Sequence, residues 1–129
     1  MKNINTIIFD FGGVILDIDF QKINSAFASL GVSNFREMYS QQDADPLFKN
    51  LEEGKITDEE FYALFNKKAK VELDNSTIQK AWNSMLLSYR KNALSTLTTL
   101  KGKYKLYLLS NTNSIHVDAF TKIFNEEVG

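Results

Sequence analysis

The chain of 129 residues has no cysteine. That removes disulfides, thiolate metal sites and cysteine nucleophiles together. It fits a reducing compartment, and the expected location is cytoplasmic. Long hydrophobic runs are lacking too. No stretch approaches the roughly 18 apolar residues of a membrane span, so no membrane partner is expected. The first residues, MKNINTIIFDF, carry one lysine and too short an apolar run for a signal peptide. Nor is there an excess of one charge. Fifteen Lys and Arg stand against 16 Asp and Glu, for a net charge of −1. No basic patch points to nucleic acid, and no acidic tail is present. A small anion remains compatible with this balance, because a turn or helix N-terminus can bind one through backbone N–H groups. Repeats and low-complexity linkers are absent as well.

What is present is the composition of a globular domain: 43% hydrophobic, 24% charged and 12% aromatic. That is enough for a sizeable core in one domain, or in one small domain with an inserted part. Residues 4–10 read as a buried strand, short and β-branched, and are followed by Gly12 and Gly13. Helical spacing then takes over. Phe20, Ile23, Phe27 and Leu30 share one face, with Asp19 as N-cap and Gly31 as stop. A further helix is expected over Asn34–Gln42, before Asp45-Pro46. Leu47, Phe48 and Leu51 suggest a short helix closed by Gly54. Thr57-Asp-Glu-Glu60 is a capping box and opens a helix containing Phe61, Leu64 and Phe65. Ile78, Trp82 and Met85 follow at helical spacing, then Leu94, Leu97 and Leu100 up to Gly102. The run YKLYLL, 104–109, returns to strand and ends at Ser110-Asn111-Thr112-Asn113. A last helix carries Ile115, Ala119, Phe120 and Ile123. Two strands so far apart, with helices between, indicate one α/β sheet interrupted by a helical insertion.

Both strand ends are polar. In open parallel sheets ligands bind at the carboxyl ends of strands. If the two strands are neighbours, Asp10 and Ser110 share one rim. A carboxylate there can act as a nucleophile. Free backbone N–H groups at Phe11, Gly12 and Gly13 can cradle a phosphoryl group, and the Ser110 hydroxyl can donate to it. A carboxylate beside phosphate oxygens also needs a cation, and Mg²⁺ suits one or two carboxylates plus phosphate. Other polar residues have plainer readings. Asp17 and Asp19 suit solvation or capping, His116 a structural role, Trp82 and the phenylalanines a helical core, and Lys67-Lys68-Ala-Lys70 a solvated helix end.

IIFDFGGVI, followed far downstream by LYLLSNTN, resembles motifs one and two of the haloacid dehalogenase-like hydrolase superfamily. The runs DFGGVILDIDF, LEEGKITDEEF and SNTNSIH are similar to its capped phosphatases. They resemble in particular the α-glucose-1-phosphate phosphatase group and the phosphatase domain of epoxide hydrolases. The resemblance implies a partial Rossmann-like parallel sheet with an inserted all-helical cap. The core would comprise residues 1–16 and 89–129, and the cap residues 17–88. It implies that Asp10 attacks a small phosphorylated metabolite of the sugar phosphate class, giving an aspartyl-phosphate. Mg²⁺ would be held by the Asp10 carboxylate and the Gly12 carbonyl. Phe11, Gly12, Gly13, Ser110 and Asn111 would hold the phosphoryl oxygens, and the cap would exclude water and select the leaving group.

Two departures from the pattern stand out. Many members carry an acid two residues after the nucleophile, and here that position is Gly12. A third motif lysine and a fourth motif acid pair are unmatched; Lys122, Glu126 and Glu127 lie in the last helical run. The expectation is therefore a truncated, inactive piece of a larger phosphatase. The first strand would keep one unpaired apolar edge that invites association, through a second copy or a missing C-terminal segment. The alternatives are a non-catalytic phosphate- or partner-binding chain and a haloacid dehalogenase using the same aspartate.

Overall fold

The structure, a computed structural model, describes residues 3–40 and 44–129. Two parallel strands carry the polar ends singled out above. Strand β1 (Thr6–Asp10) pairs with β4 (Lys105–Leu109), in register from Thr6 opposite Lys105 to Asp10 opposite Leu109. Parallel strands cannot be joined by a tight turn and need a crossover. Here the crossover is most of the chain. It begins at a tight turn in which the Phe11 carbonyl accepts from the N–H groups of Val14, Ile15 and Leu16 at 2.8–3.2 Å. Gly13 sits in that turn at φ 79°, a left-handed conformation that a side chain would strain.

A second pair was not expected from the sequence. Strands β2 (Leu16–Ile18) and β3 (Leu86–Tyr89) run antiparallel, with Leu16 opposite Tyr89 and Ile18 opposite Leu86. The segment 17–88 is thus not purely helical. Short strands stand at both of its ends, where the chain leaves and rejoins the β1–β4 sheet. Arg90 Nε donates to Asp17 Oδ1 beside this crossing. Three- and four-residue strands carry too little periodicity to be read locally, and only their mutual pairing defines them.

Among the described residues five helices lie between β2 and β3. Helix α1 (Phe20–Ser29) starts at Asp19, whose carboxylate accepts from the Gln21 N–H at 2.9 Å. Helix α2 (Phe35–Met38) is shorter than the expected 34–42. Tyr39 is already extended and bridges Ala44, while Gln41 and Gln42 lie outside the described residues. Helix α3 (Pro46–Glu52) is capped by Asp45 onto the Leu47 N–H, with proline at its first position, where no N–H is needed. Helix α4 (Asp58–Ala69) has both bonds of the Thr57–Glu60 capping box, each at 3.1 Å. Helix α5 (Asn75–Asn83) follows. Beyond β3 come α6 (Lys91–Leu100), β4 and α7 (Ser114–Glu127).

The five helices close around a cluster of aromatic rings. Phe27 stacks on Phe35 with centroids 4.5 Å apart, and Trp82 lies 5.2 Å from Phe48 and 6.0 Å from Phe61. Phe27, Phe61 and Phe65 are fully buried. Each such side chain contributes about 1.5–3 kcal/mol by leaving water. A smaller cluster under the parallel sheet holds Phe11, Ile15, Leu16 and Tyr89. Helix α7 closes it. Phe120 packs 4.7 Å from Phe11, and its carbonyl accepts from the Tyr89 hydroxyl at 2.9 Å. Glu127, which matched no motif, accepts from the Tyr89 N–H at 3.0 Å. The strands themselves are poorly covered: Ile8 is 64% exposed and Leu109 72%. Among the described residues no helix is long and apolar enough to cross a membrane.

Candidate functional site

The parallel register decides the site. Because Asp10 stands opposite Leu109, the residue after Leu109 falls on the same rim as Asp10. Asp10, Phe11, Gly12, Ser110 and Asn111 accordingly line one cavity of about 230 Å³ between the sheet rim and the helices. Five of the six residues singled out from sequence are brought together. The sixth, Gly13, lines no part of it and serves the turn instead. A second cavity, of about 490 Å³, adjoins the first and shares Ser110, Asn111, Thr112 and Glu52 with it.

The expected cradle of three free amides is only partly available. The Phe11 N–H donates to Asp10 Oδ1 at 2.8 Å, which holds the carboxylate in place. The Gly13 N–H donates to the Leu16 carbonyl at 2.7 Å. Among the described residues the Gly12 N–H has no partner within the chain. A Cβ at Gly12 would meet Ile18 Cδ1 at 3.4 Å, so the backbone there approaches β2 closely.

Loop 110–113 leads straight into α7. Asn113 is buried, and its side-chain oxygen accepts from the His116 N–H at 2.9 Å, so it caps that helix. The first turn of α7 is fastened to the helices in three ways. His116 Nδ1 lies 2.7 Å from Asn83 Oδ1, its ring stacks on Trp82 at 4.6 Å, and the Ser114 hydroxyl donates to Asp58. Burial pushes the His116 pKa down to about 4, so the ring is neutral near pH 7. A neutral imidazole facing a carbonyl oxygen through Nδ1 carries its proton there. Its Nε2 is then a bare acceptor, and it is buried without a partner. His116 lines the cavity that contains Asp10. Its structural reading therefore holds, but the position it braces is the rim itself.

The helices contribute residues that sequence reading had not placed at the site. Tyr39 and Glu52 line the same cavity as Asp10. Burial, and secondly the charge of Glu53, raises the Glu52 pKa. Burial, and secondly Glu52, raises that of Tyr39. Nothing local in LEEG distinguishes Glu52 from Glu53; only the turn of α3 onto the rim does. The two acids that follow Asp10 in sequence are occupied elsewhere, Asp17 by Arg90 and Asp19 by the α1 N-terminus.

The donor set fits a hard cation in part. The Asp10 carboxylate and the Gly12 carbonyl are oxygen donors of the kind Mg²⁺ takes, with water and phosphate completing the shell. Among the described residues no group of three or more His, Cys, Asp or Glu side chains could hold a metal ion. Protein ligands beyond these two are not assembled here.

A parallel sheet with an aspartate at one strand end, a Ser-Asn pair at the neighbouring strand end and a helical block between them defines an α/β class of fold. More particularly, over the part it spans, the chain has the fold of HAD-family phosphatases. It aligns with a HAD family enzyme from Bacteroides thetaiotaomicron, an aspartate-to-alanine variant solved with magnesium and inorganic phosphate. The TM-score is 0.89 and the identity 32%, over 93% of this chain and 59% of that one. A predicted HAD-like family hydrolase from Porphyromonas gingivalis aligns with a TM-score of 0.78 and 30% identity, over 89% and 55% of the two chains. Among curated proteins, a D-ribitol-5-phosphate phosphatase of Bacteroides thetaiotaomicron is 36% identical over 110 residues, 85% of this chain and 53% of the relative. The chain thus spans about half the length of the curated relative it matches. No family model matches it.

Proposed function

We propose that this chain carries the nucleophile and phosphate-binding part of a phosphomonoester hydrolase acting on a small sugar or polyol phosphate. The observation that carries the reading is the convergence of Asp10 and Ser110-Asn111 on one cavity at adjacent parallel strand ends. An Asp10 carboxylate oxygen attacks phosphorus in line with the leaving oxygen. The Phe11 N–H fixes the other carboxylate position, as the 2.8 Å bond to Oδ1 supports. The Ser110 hydroxyl, the Asn111 side chain and the Gly12 N–H donate to the phosphoryl oxygens. Water then cleaves the aspartyl-phosphate and frees Asp10. Mg²⁺, held by the Asp10 carboxylate and the Gly12 carbonyl, would offset the charge of the phosphoryl group.

Residues 17–88 act as the cap, crossing to a core of residues 1–16 and 89–129 through β2 and β3. The polyol or sugar ester fits the relatives' chemistry and the polar second cavity beside the phosphate loop. The protein is cytoplasmic on this reading. A second reading has one observation in its favour. No lysine or acid pair within residues 1–129 matches the third and fourth motifs, so the chain would bind phosphate without turning an ester over.

The two readings separate in one assay. Mg²⁺-dependent phosphate release is measured on a panel of sugar and polyol phosphates, with the 129-residue chain and its Asp10→Asn variant. Release that disappears in Asp10→Asn is expected. No release above the variant, with inorganic phosphate still bound, leaves the binding reading in place.

A further inference from the structure

The site as described has a nucleophile but no evident source of the leaving-group proton. The residue two places after Asp10 is Gly12, which has no side chain to supply it. Asp17 is paired with Arg90, and Asp19 caps α1. His116 lines the cavity, but its Nδ1 is held by Asn83, and its Nε2 is buried and unprotonated in that tautomer. Two acidic protons remain among the groups that line the Asp10 cavity, those of Tyr39 and Glu52. A phenol held above its ordinary pKa by burial and by Glu52 is a poor donor near neutrality.

Glu52 differs on three counts. It lies at the last position of α3, so the helix carries it to the rim. It lines both the Asp10 cavity and the larger one beside Ser110–Thr112, where a leaving group would extend. And it is not committed: its neighbour Glu53 takes Lys55 at 2.7 Å and Lys49 at 3.9 Å, while Glu52 has no ion pair among the described residues. Partial burial at the cavity wall, and secondly the Glu53 charge, shift it toward its protonated form.

We infer that Glu52, supplied from helix α3 across the cavity from Asp10, is the general acid and base of this site. The inference rests on the phosphatase reading above. In the first step an Asp10 oxygen forms a bond to phosphorus as the phosphorus–oxygen bond to the alcohol breaks. The Glu52 carboxyl gives its proton to the departing alkoxide, which leaves as the alcohol. In the second step the Glu52 carboxylate takes a proton from water while the water oxygen bonds to phosphorus. The aspartyl–phosphorus bond breaks, Asp10 returns as carboxylate, phosphate departs, and Glu52 is again protonated. An acid placed on the helices, not on the loop after the nucleophile, is present only when helices and rim are apposed. Proton transfer is thereby tied to closure over the ester.

Leaving-group dependence tests this. An alkyl ester needs its leaving oxygen protonated; a nitrophenyl ester does not, because nitrophenolate leaves unaided. The probes are ribitol 5-phosphate and p-nitrophenyl phosphate, with Mg²⁺ present. The proteins are the 129-residue chain, Glu52→Gln, Glu52→Asp and Asp10→Asn. Glu52 is only partly covered and has no ion pair among the described residues, so its replacement is expected to leave the urea unfolding midpoint unchanged. For Glu52→Gln, the first step, read as the pre-steady-state release of the leaving group, slows about 100-fold or more on the alkyl ester and stays within about twofold on the aryl ester; hydrolysis of the aspartyl-phosphate slows with both, and Glu52→Asp recovers part of each loss. An equal fall of the first step on both esters, or no fall on either, overturns the assignment while Asp10→Asn still abolishes turnover. If the unchanged chain turns over neither ester, or Asp10→Asn retains turnover, the phosphatase reading falls, and the role of Glu52 with it.

Discussion

The helices between β2 and β3 and the β1–β4 sheet place their large apolar residues in opposite surroundings. Trp82 is 2% exposed, and rings from α2, α3 and α4 surround it. Tyr107, Leu108 and Leu109, three consecutive residues of β4, are each more than half exposed. A five-helix block can close a core on itself, because each helix turns one stripe inward. A two-stranded sheet cannot, since it has two faces and two edges and α7 with its neighbours covers only part of them. Stability is therefore concentrated in the helices, while the candidate chemistry sits on the rim of the less covered sheet. His116 and Ser114 tie the two together.

The largest expected effect breaks the helical side of this comparison. Trp82→Ala should cost about 3–5 kcal/mol in urea unfolding, because the hole it leaves is lined by rings that cannot all collapse into it. The tie between the regions should show as a pH dependence. His116 has its pKa lowered by burial from the ordinary 6.5 to about 4. The unfolded chain therefore takes up a proton in that window that the folded chain refuses. Stability is full above about pH 6.5 and falls as the pH drops toward 4, by about 3 kcal/mol at most. His116→Gln should flatten that slope in unfolding curves recorded across the window. The smallest effect sharpens the sheet side. Ile8→Ala, at a position 64% exposed, should stay within about 0.5 kcal/mol of the parent. A cost of several kcal/mol there would mean that the strand face is covered in solution.

Much of the fold was legible because it is written in local periods and caps. The Thr57 box, the Asp19 cap and the glycines at 31, 54 and 102 fell where the helices begin or end. Strand β1 begins at Thr6, not at residue 4. The helix expected over 34–42 shrank to four residues because Tyr39 turns extended to bridge Ala44. Strands β2 and β3 were missed because neither has a pattern of its own; each is a strand only through the other. At the site, Asp10, Gly12, Ser110 and Asn111 could be named from motif spacing. The commitment of the Phe11 and Gly13 amides could not, since it depends on how the turn folds back on Asp10 and Leu16.

By itself the sequence determined most of the helices, the two polar strand ends and the spacing of an aspartate and a distant Ser-Asn along the chain. These follow from side-chain period, capping chemistry and residue type, which act over a few residues. Only the tertiary structure decided that Asp10 and Ser110 share a rim, that β2 and β3 form the crossing, and that Glu52 but not Glu53 reaches the cavity lined by Asp10. Those outcomes depend on parallel register and on the docking of α3 and α7, which bring together groups far apart in the chain. No local preference encodes such a meeting, because it is fixed by the packing of the whole helical core against the sheet.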